Sequence, residues 1–133
     1  MISKPGFCTI LVLTLNLNFL GNSGAASLDL TCRVSSEGTL SMIKLNGTGL
    51  SGKFYAKIIS GENFTQTEVK TANKRGNIEF KFHNDPNYVA NNPGTDKILP
   101  DFIKQSEVVG IIRKAGTHAR IGGIRAKCRI LKF

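Results

Sequence analysis

The sequence predicts an all-β domain, a sandwich or a barrel. Three observations point that way. From residue 27 onward, apolar and polar residues alternate with period two along most of the chain, the spacing of strands buried on one face. Gly, Asn, Asp and Pro break that alternation roughly every eight to twelve residues, the rhythm of short strands joined by turns. No window carries apolar residues at i, i+3, i+4 and i+7 with caps at its ends, so helices are not expected to build the domain.

A chain of 133 residues has room for one domain. The first 26 residues are expected to lie outside it. Lys4 precedes the apolar run FCTILVLTLNLNFL at 7–20, and the small-residue stretch GNSGAAS follows. That is the three-part layout of a cleavable secretory signal. The run is interrupted by Asn16 and Asn18 and falls short of the about twenty apolar residues a membrane span needs. The expected organisation is a signal peptide over 1–26 and one β domain over 27–133. The destination is then periplasmic or extracellular, with no membrane span after processing.

Seven strands are expected, near 28–35, 39–46, 53–60, 65–71, 77–83, 106–114 and 119–131. The first, LDLTCRV, sends Leu28, Leu30, Cys32 and Val34 to one side and Asp29, Thr31 and Arg33 to the other. In the third, KFYAKI, residues Phe54, Ala56 and Ile58 point inward. In the fifth, NIEFKFH, Ile78, Phe80 and Phe82 point inward and Glu79, Lys81 and His83 outward; the turn NKRGN before it supplies Gly76 where a hairpin needs a positive φ. The stretch 83–102 contains Pro86, Pro93 and Pro100. It is too long for a turn and reads as a functional loop or a crossover between sheets, with room for one short helical turn. In the last strand Ile124, Ala126, Cys128 and Ile130 share an apolar side, and Arg125, Lys127 and Arg129 share the opposite one.

The cysteines agree with export. Cys8 leaves with the signal, and Cys32 and Cys128 remain. An even pair in an exported chain reads as a disulfide. Both fall on the apolar sides of the terminal strands, so the bridge is expected to be buried between them. Closing so long a loop removes unfolded-state entropy worth on the order of 4 to 5 kcal/mol.

The order GTGLSGKFYAKIIS at 47–60, then VKTANKRGNIEFKF at 69–82, resembles the middle of bacterial immunoglobulin-like modules. The shared pattern is a Gly-x-Gly-apolar turn, a strand, then a polar turn with Gly leading into alternating aromatics. The segment Leu99, Pro100, Asp101, Phe102, Ile103 and a Cys near the end of the last strand extend the likeness. The resemblance implies a two-sheet immunoglobulin-like sandwich of about seven strands, in or beyond a bacterial envelope. It implies no activity, because that fold hosts many.

Catalytic constellations are not evident. His83 and His118 are the two histidines, and both read as surface residues with no nucleophile or carboxylate set beside them by spacing. Asp85, Asp96 and Asp101 share one loop, but Asp and Asn are also what turns use. Together with Asn87, Asn91 and Asn92 they match no calcium-loop spacing. Zinc is set aside because the two retained thiols are paired and the histidines stand apart. No enzyme activity, metal or cofactor is expected. The sequons at Asn46 and Asn63 read as chance in an Asn-rich chain.

The net charge of +9 is concentrated late in the chain, where Glu107 is the single acid beyond residue 103. Arg125, Lys127 and Arg129 form a ladder about 13 Å long. With Arg113, Lys114 and Arg120 they make a candidate anion-binding face, suited to an anionic polysaccharide, a lipopolysaccharide or an acidic protein, with binding that weakens as salt screens it. The competing reading is a solvated face that keeps the edge unpaired. Nucleic acid is not an expected partner: Tyr55 is the one aromatic on an outward strand face, and such modules stack bases on several. The expected function is a non-catalytic exported interaction module. The alternatives are a small metal-dependent or hydrolytic enzyme using the 83–102 loop, and a structural subunit that pairs through strand edges.

Overall fold

The computed structural model of the protein describes residues 26–131. The expected signal peptide lies outside the described residues except for Ala26. In chain order the elements are β1 (Ser27–Val34), β2 (Ser41–Thr48), β3 (Lys53–Ser60), β4 (Asn63–Gln66), β5 (Lys70–Thr71), β6 (Ile78–His83), α1 (Pro86–Asn91), β7 (Thr95–Lys97), β8 (Glu107–Lys114), β9 (Arg120–Lys127) and β10 (Arg129–Ile130).

They form two sheets, with neighbours in the order β10-β1-β2-β6-β7 in one and β4-β3-β8-β9 in the other; β5 also pairs with β3. The alternation seen in the sequence is what packs the two sheets together. Leu30, Cys32, Ile43, Leu45, Ile78, Phe80 and Phe82 from the first sheet meet Phe54, Ala56, Ile58, Val108 and Ile112 from the second in one buried core. At Gly110 the second sheet presses its backbone close on a side chain of the first, since a Cβ there would lie 3.1 Å from Leu45. The fold is therefore an all-β two-layer sandwich.

The expected seven strands become ten segments, for reasons visible in the backbone. The stretch expected as one strand at 65–71 is interrupted at Thr67, whose hydroxyl accepts the Ala56 N–H at 2.9 Å while its own N–H donates to the Ala56 carbonyl. Gly76 has the expected positive φ of 83°, but its turn does not close a hairpin. It carries the chain from β5 in the second sheet to β6 in the first.

The 83–102 stretch is the crossover, and it holds both a helical turn and a short strand. Asp85 caps α1 by accepting the Asn87 N–H, with proline in the first turn. β7 then adds to β6 in parallel.

The last expected strand breaks at Cys128. This residue is bonded to Cys32 in β1, with Cα atoms 4.5 Å apart and 96 positions between them. β9 pairs with β8 in the second sheet, whereas β10 pairs in parallel with β1 in the first. The bridge thus draws the chain from one layer to the other. Ile130, expected on the apolar side, is 69% exposed, because β10 sits at the sheet margin, beyond the core.

Candidate functional site

The six cations singled out in the sequence do not gather in one place. Arg125 pairs with Glu107 at 2.9 Å, and Lys127 is the register partner of the same acid. Arg113 and Arg120 are register partners near the other end of the β8–β9 pair, about 17 Å along the strand from Arg125. There the Arg113 guanidinium donates to the His118 carbonyl at 3.0 Å, and Lys114 lies over the Phe54 ring. Arg129 belongs to the other sheet altogether, as the register partner of Arg33. The expected continuous ladder is therefore divided between two layers at the disulfide.

Concentrated positive charge appears instead on the outer face of the first sheet. Antiparallel pairing aligns Thr31 with Lys44 and Lys44 with Lys81, and parallel pairing aligns Lys81 with Thr95. One row thus crosses four strands, with a hydroxyl at each end and two lysines in the middle. The adjacent row places Arg129, Arg33, Met42 and His83 in register. The first row, with Arg33 and Met42 of the second, lines a basin of about 230 Å³ to which Tyr88 also contributes.

Two lysines directly opposite one another repel. Glu79 relieves this only in part, since its oxygens stand 3.9 Å from Lys44 Nζ and 4.0 Å from Lys81 Nζ. Those separations are ion-pair contacts beyond hydrogen-bond length. The basin therefore keeps three cations, Arg33, Lys44 and Lys81, against one carboxylate.

α1 forms the wall. It contacts β6 and β7, and from it Tyr88 stacks on His83 with ring centroids 4.2 Å apart and planes 18° from parallel. His83 was expected at the surface, yet it is 3% exposed, because a helix that strand alternation cannot foresee covers it. Burial lowers its pKa from the ordinary histidine value, with the nearby Asp85 charge opposing. His118 is exposed, as expected. Its ring meets the Tyr55 hydroxyl at 2.8 Å, which accounts for the burial of an outward tyrosine.

One polar atom at the basin lacks a partner. Thr95 Oγ1 is buried with no hydrogen bond, in a residue 7% exposed that lines the cavity. Buried hydroxyls are normally satisfied.

The acids of the 83–102 stretch are dispersed. Asp85 caps α1, Asp101 stands 3.8 Å from Lys104, and Asp96 lies in β7 with its pKa raised by burial, lowered by Lys70 and raised again by Glu68. Among the described residues, no three His, Cys, Asp or Glu side chains are grouped to hold a metal ion.

No protein-family model, curated protein or solved structure matches this chain.

Proposed function

We propose that the protein is an exported, non-catalytic interaction module of immunoglobulin-like architecture that binds an anionic partner through the outer face of its first sheet. The observation that carries this reading is the opposition of Lys44 and Lys81 in register beside Arg33, with one carboxylate between the lysines. Unbalanced like charges on one concave face favour an anion that settles among them.

Strand order supports the architectural part. β1, β2 and β6 lie side by side in one sheet, and β3, β8 and β9 in the other, the partition of the A, B, E and C, F, G strands of an immunoglobulin sandwich. The bridge differs from that of antibody domains, since it joins β1 to the residue between β9 and β10, and the chain has no Trp. Export is supported by the disulfide, which persists in oxidising compartments, and no helix among the described residues is long and apolar enough to cross a membrane. The partner class is an anionic polysaccharide, a lipopolysaccharide or an acidic protein.

Retention on an immobilised anionic polysaccharide, followed across a salt gradient, tests the reading. Lys44→Glu with Lys81→Glu is expected to abolish retention, and Arg125→Glu with Lys127→Glu to leave most of it. Retention that survives the first pair of substitutions defeats the proposal.

A further inference from the structure

We infer that the basin between Thr31 and Thr95 is a subsite for a single phosphorylated sugar unit, an inference that rests on the anion-binding reading above and specifies its ligand. Charge argues for the phosphate. Three cations and one carboxylate line the cavity, leaving a surplus of two positive charges. A phosphomonoester carries about −1.5 to −2 at neutral pH, which matches that surplus. A uronate or a sulfate ester brings a single negative charge and leaves the lysine pair partly uncompensated.

Size and lining argue for one ring. The basin measures about 230 Å³, below the 300 Å³ or so at which pockets for drug-sized ligands begin. Its lining is not wholly polar: Met42, Phe82 and Tyr88 contribute beside the lysines. A pyranose has an apolar face to set against these groups and hydroxyls at its rim.

The Thr95 hydroxyl is the second, independent sign. It is buried, lines the basin and has no partner within the protein. Leaving a buried hydroxyl unpaired is costly, and a sugar hydroxyl or phosphate oxygen supplies what is missing. At the other end of the row Thr31 offers a second hydroxyl, so a ligand lying across Lys44 and Lys81 has a neutral hydrogen-bonding group at each side. Only the Tyr88 face turned away from His83 is left for the ring, because the other face is taken by the stack.

The test is calorimetric titration of the disulfide-bonded protein with glucose 1-phosphate, glucose and inorganic phosphate. Glucose 1-phosphate is expected to bind at least tenfold more tightly than inorganic phosphate, and glucose not measurably. Lys81→Ala is expected to weaken binding tenfold or more. Thr95→Val is the discriminating variant, expected to weaken binding about fivefold while the melting temperature of the unliganded protein stays level or rises, because the change removes an unpaired hydroxyl without altering side-chain shape. Equal affinity for inorganic phosphate and the sugar phosphate overturns the sugar, and unchanged affinity in Thr95→Val overturns the assigned hydroxyl. Glucose 1-phosphate that fails to bind, while Lys44 and Lys81 still govern retention on the anionic polymer, overturns this inference and leaves the broader reading standing. Loss of both overturns both. Lecithin vesicles doped with a phosphorylated glycolipid separate the two sources of such a group: co-sedimentation that excess glucose 1-phosphate does not displace places the ligand in a membrane headgroup, and displacement at the soluble affinity places it free in solution.

Discussion

The Asp85 backbone N–H donates to His83 Nδ1 at 3.0 Å, so the residue that caps α1 is itself held by the ring under Tyr88. An accepting Nδ1 places the proton of the neutral imidazole on Nε2. Protonation of the ring removes that acceptor.

The first prediction follows from the direction of the shift. The folded pKa of His83 lies below the ordinary value of 6.5, so the unfolded chain binds the proton first as pH falls. Stability is full above about pH 6.5, declines below it, and levels off beneath the folded pKa. Melting temperatures measured from pH 8 to pH 4.5 are expected to show this decline, and His83→Phe, which keeps an aromatic ring against Tyr88, is expected to flatten it.

Asp96 has the opposite sign. Its pKa is raised from 3.8, chiefly by burial, so its charged form is disfavoured by folding. The folded state is relatively favoured below the unfolded value and loses that advantage as pH rises through the folded one. Asp96→Asn is expected to melt higher than the parent at pH 7, with the difference vanishing near pH 3.

Removal of the bridge is expected to be severe. Cys32→Ala with Cys128→Ala releases a loop with a separation of 96 positions, and loss of a native disulfide from a small domain costs about 2 to 5 kcal/mol. Urea midpoints at pH 7 measure this, and the exposed strand β10 is expected to lose hydrogen-exchange protection before the core strands do.

The lysine pair is expected to trade stability against binding. Lys44 faces Lys81 in register, and like charges directly opposite cost roughly 0.2 to 1 kcal/mol. The long, exposed contact from Lys44 to Glu79 returns little of this. Lys44→Gln is therefore expected to raise the urea midpoint slightly while reducing retention on an anionic polymer.

Gly110 tests how closely the layers fit. A Cβ at this position lies 3.1 Å from one Leu45 methyl and 3.2 Å from the other, and overpacking of a core costs about 1 to 3 kcal/mol. Gly110→Ala is expected to lower the urea midpoint accordingly, and Leu45→Val in the same chain to recover part of the loss.

Local chemistry made much of this fold legible. Leu30 and Cys32 on one side of the first strand, and Phe80 and Phe82 on one side of the sixth, are buried where period-two alternation puts them. Cys128 is bonded to Cys32 as the even count implied. The site was hidden for a different reason. Alternation set Arg33 and Lys81 outward, but only the pairing of strands distant in sequence sets Lys44 between Thr31 and Lys81. Tyr88 comes from a six-residue helix whose signal, Asp85 followed by Pro86, was submerged among other turn formers. The ladder of Arg125, Lys127 and Arg129 misled because the change of layer at Cys128 leaves no mark on the alternation itself.

The covalent link between β1 and the start of β10 also sets how this molecule carries tension. A load applied at Ser27 and Ile130 passes along a few residues of β1, across the sulfur atoms and out through β10. Everything from residue 33 to 127 is a side loop on that path, shielded from stretching while the thiols stay oxidised. Reduction puts the whole sandwich in series with the load.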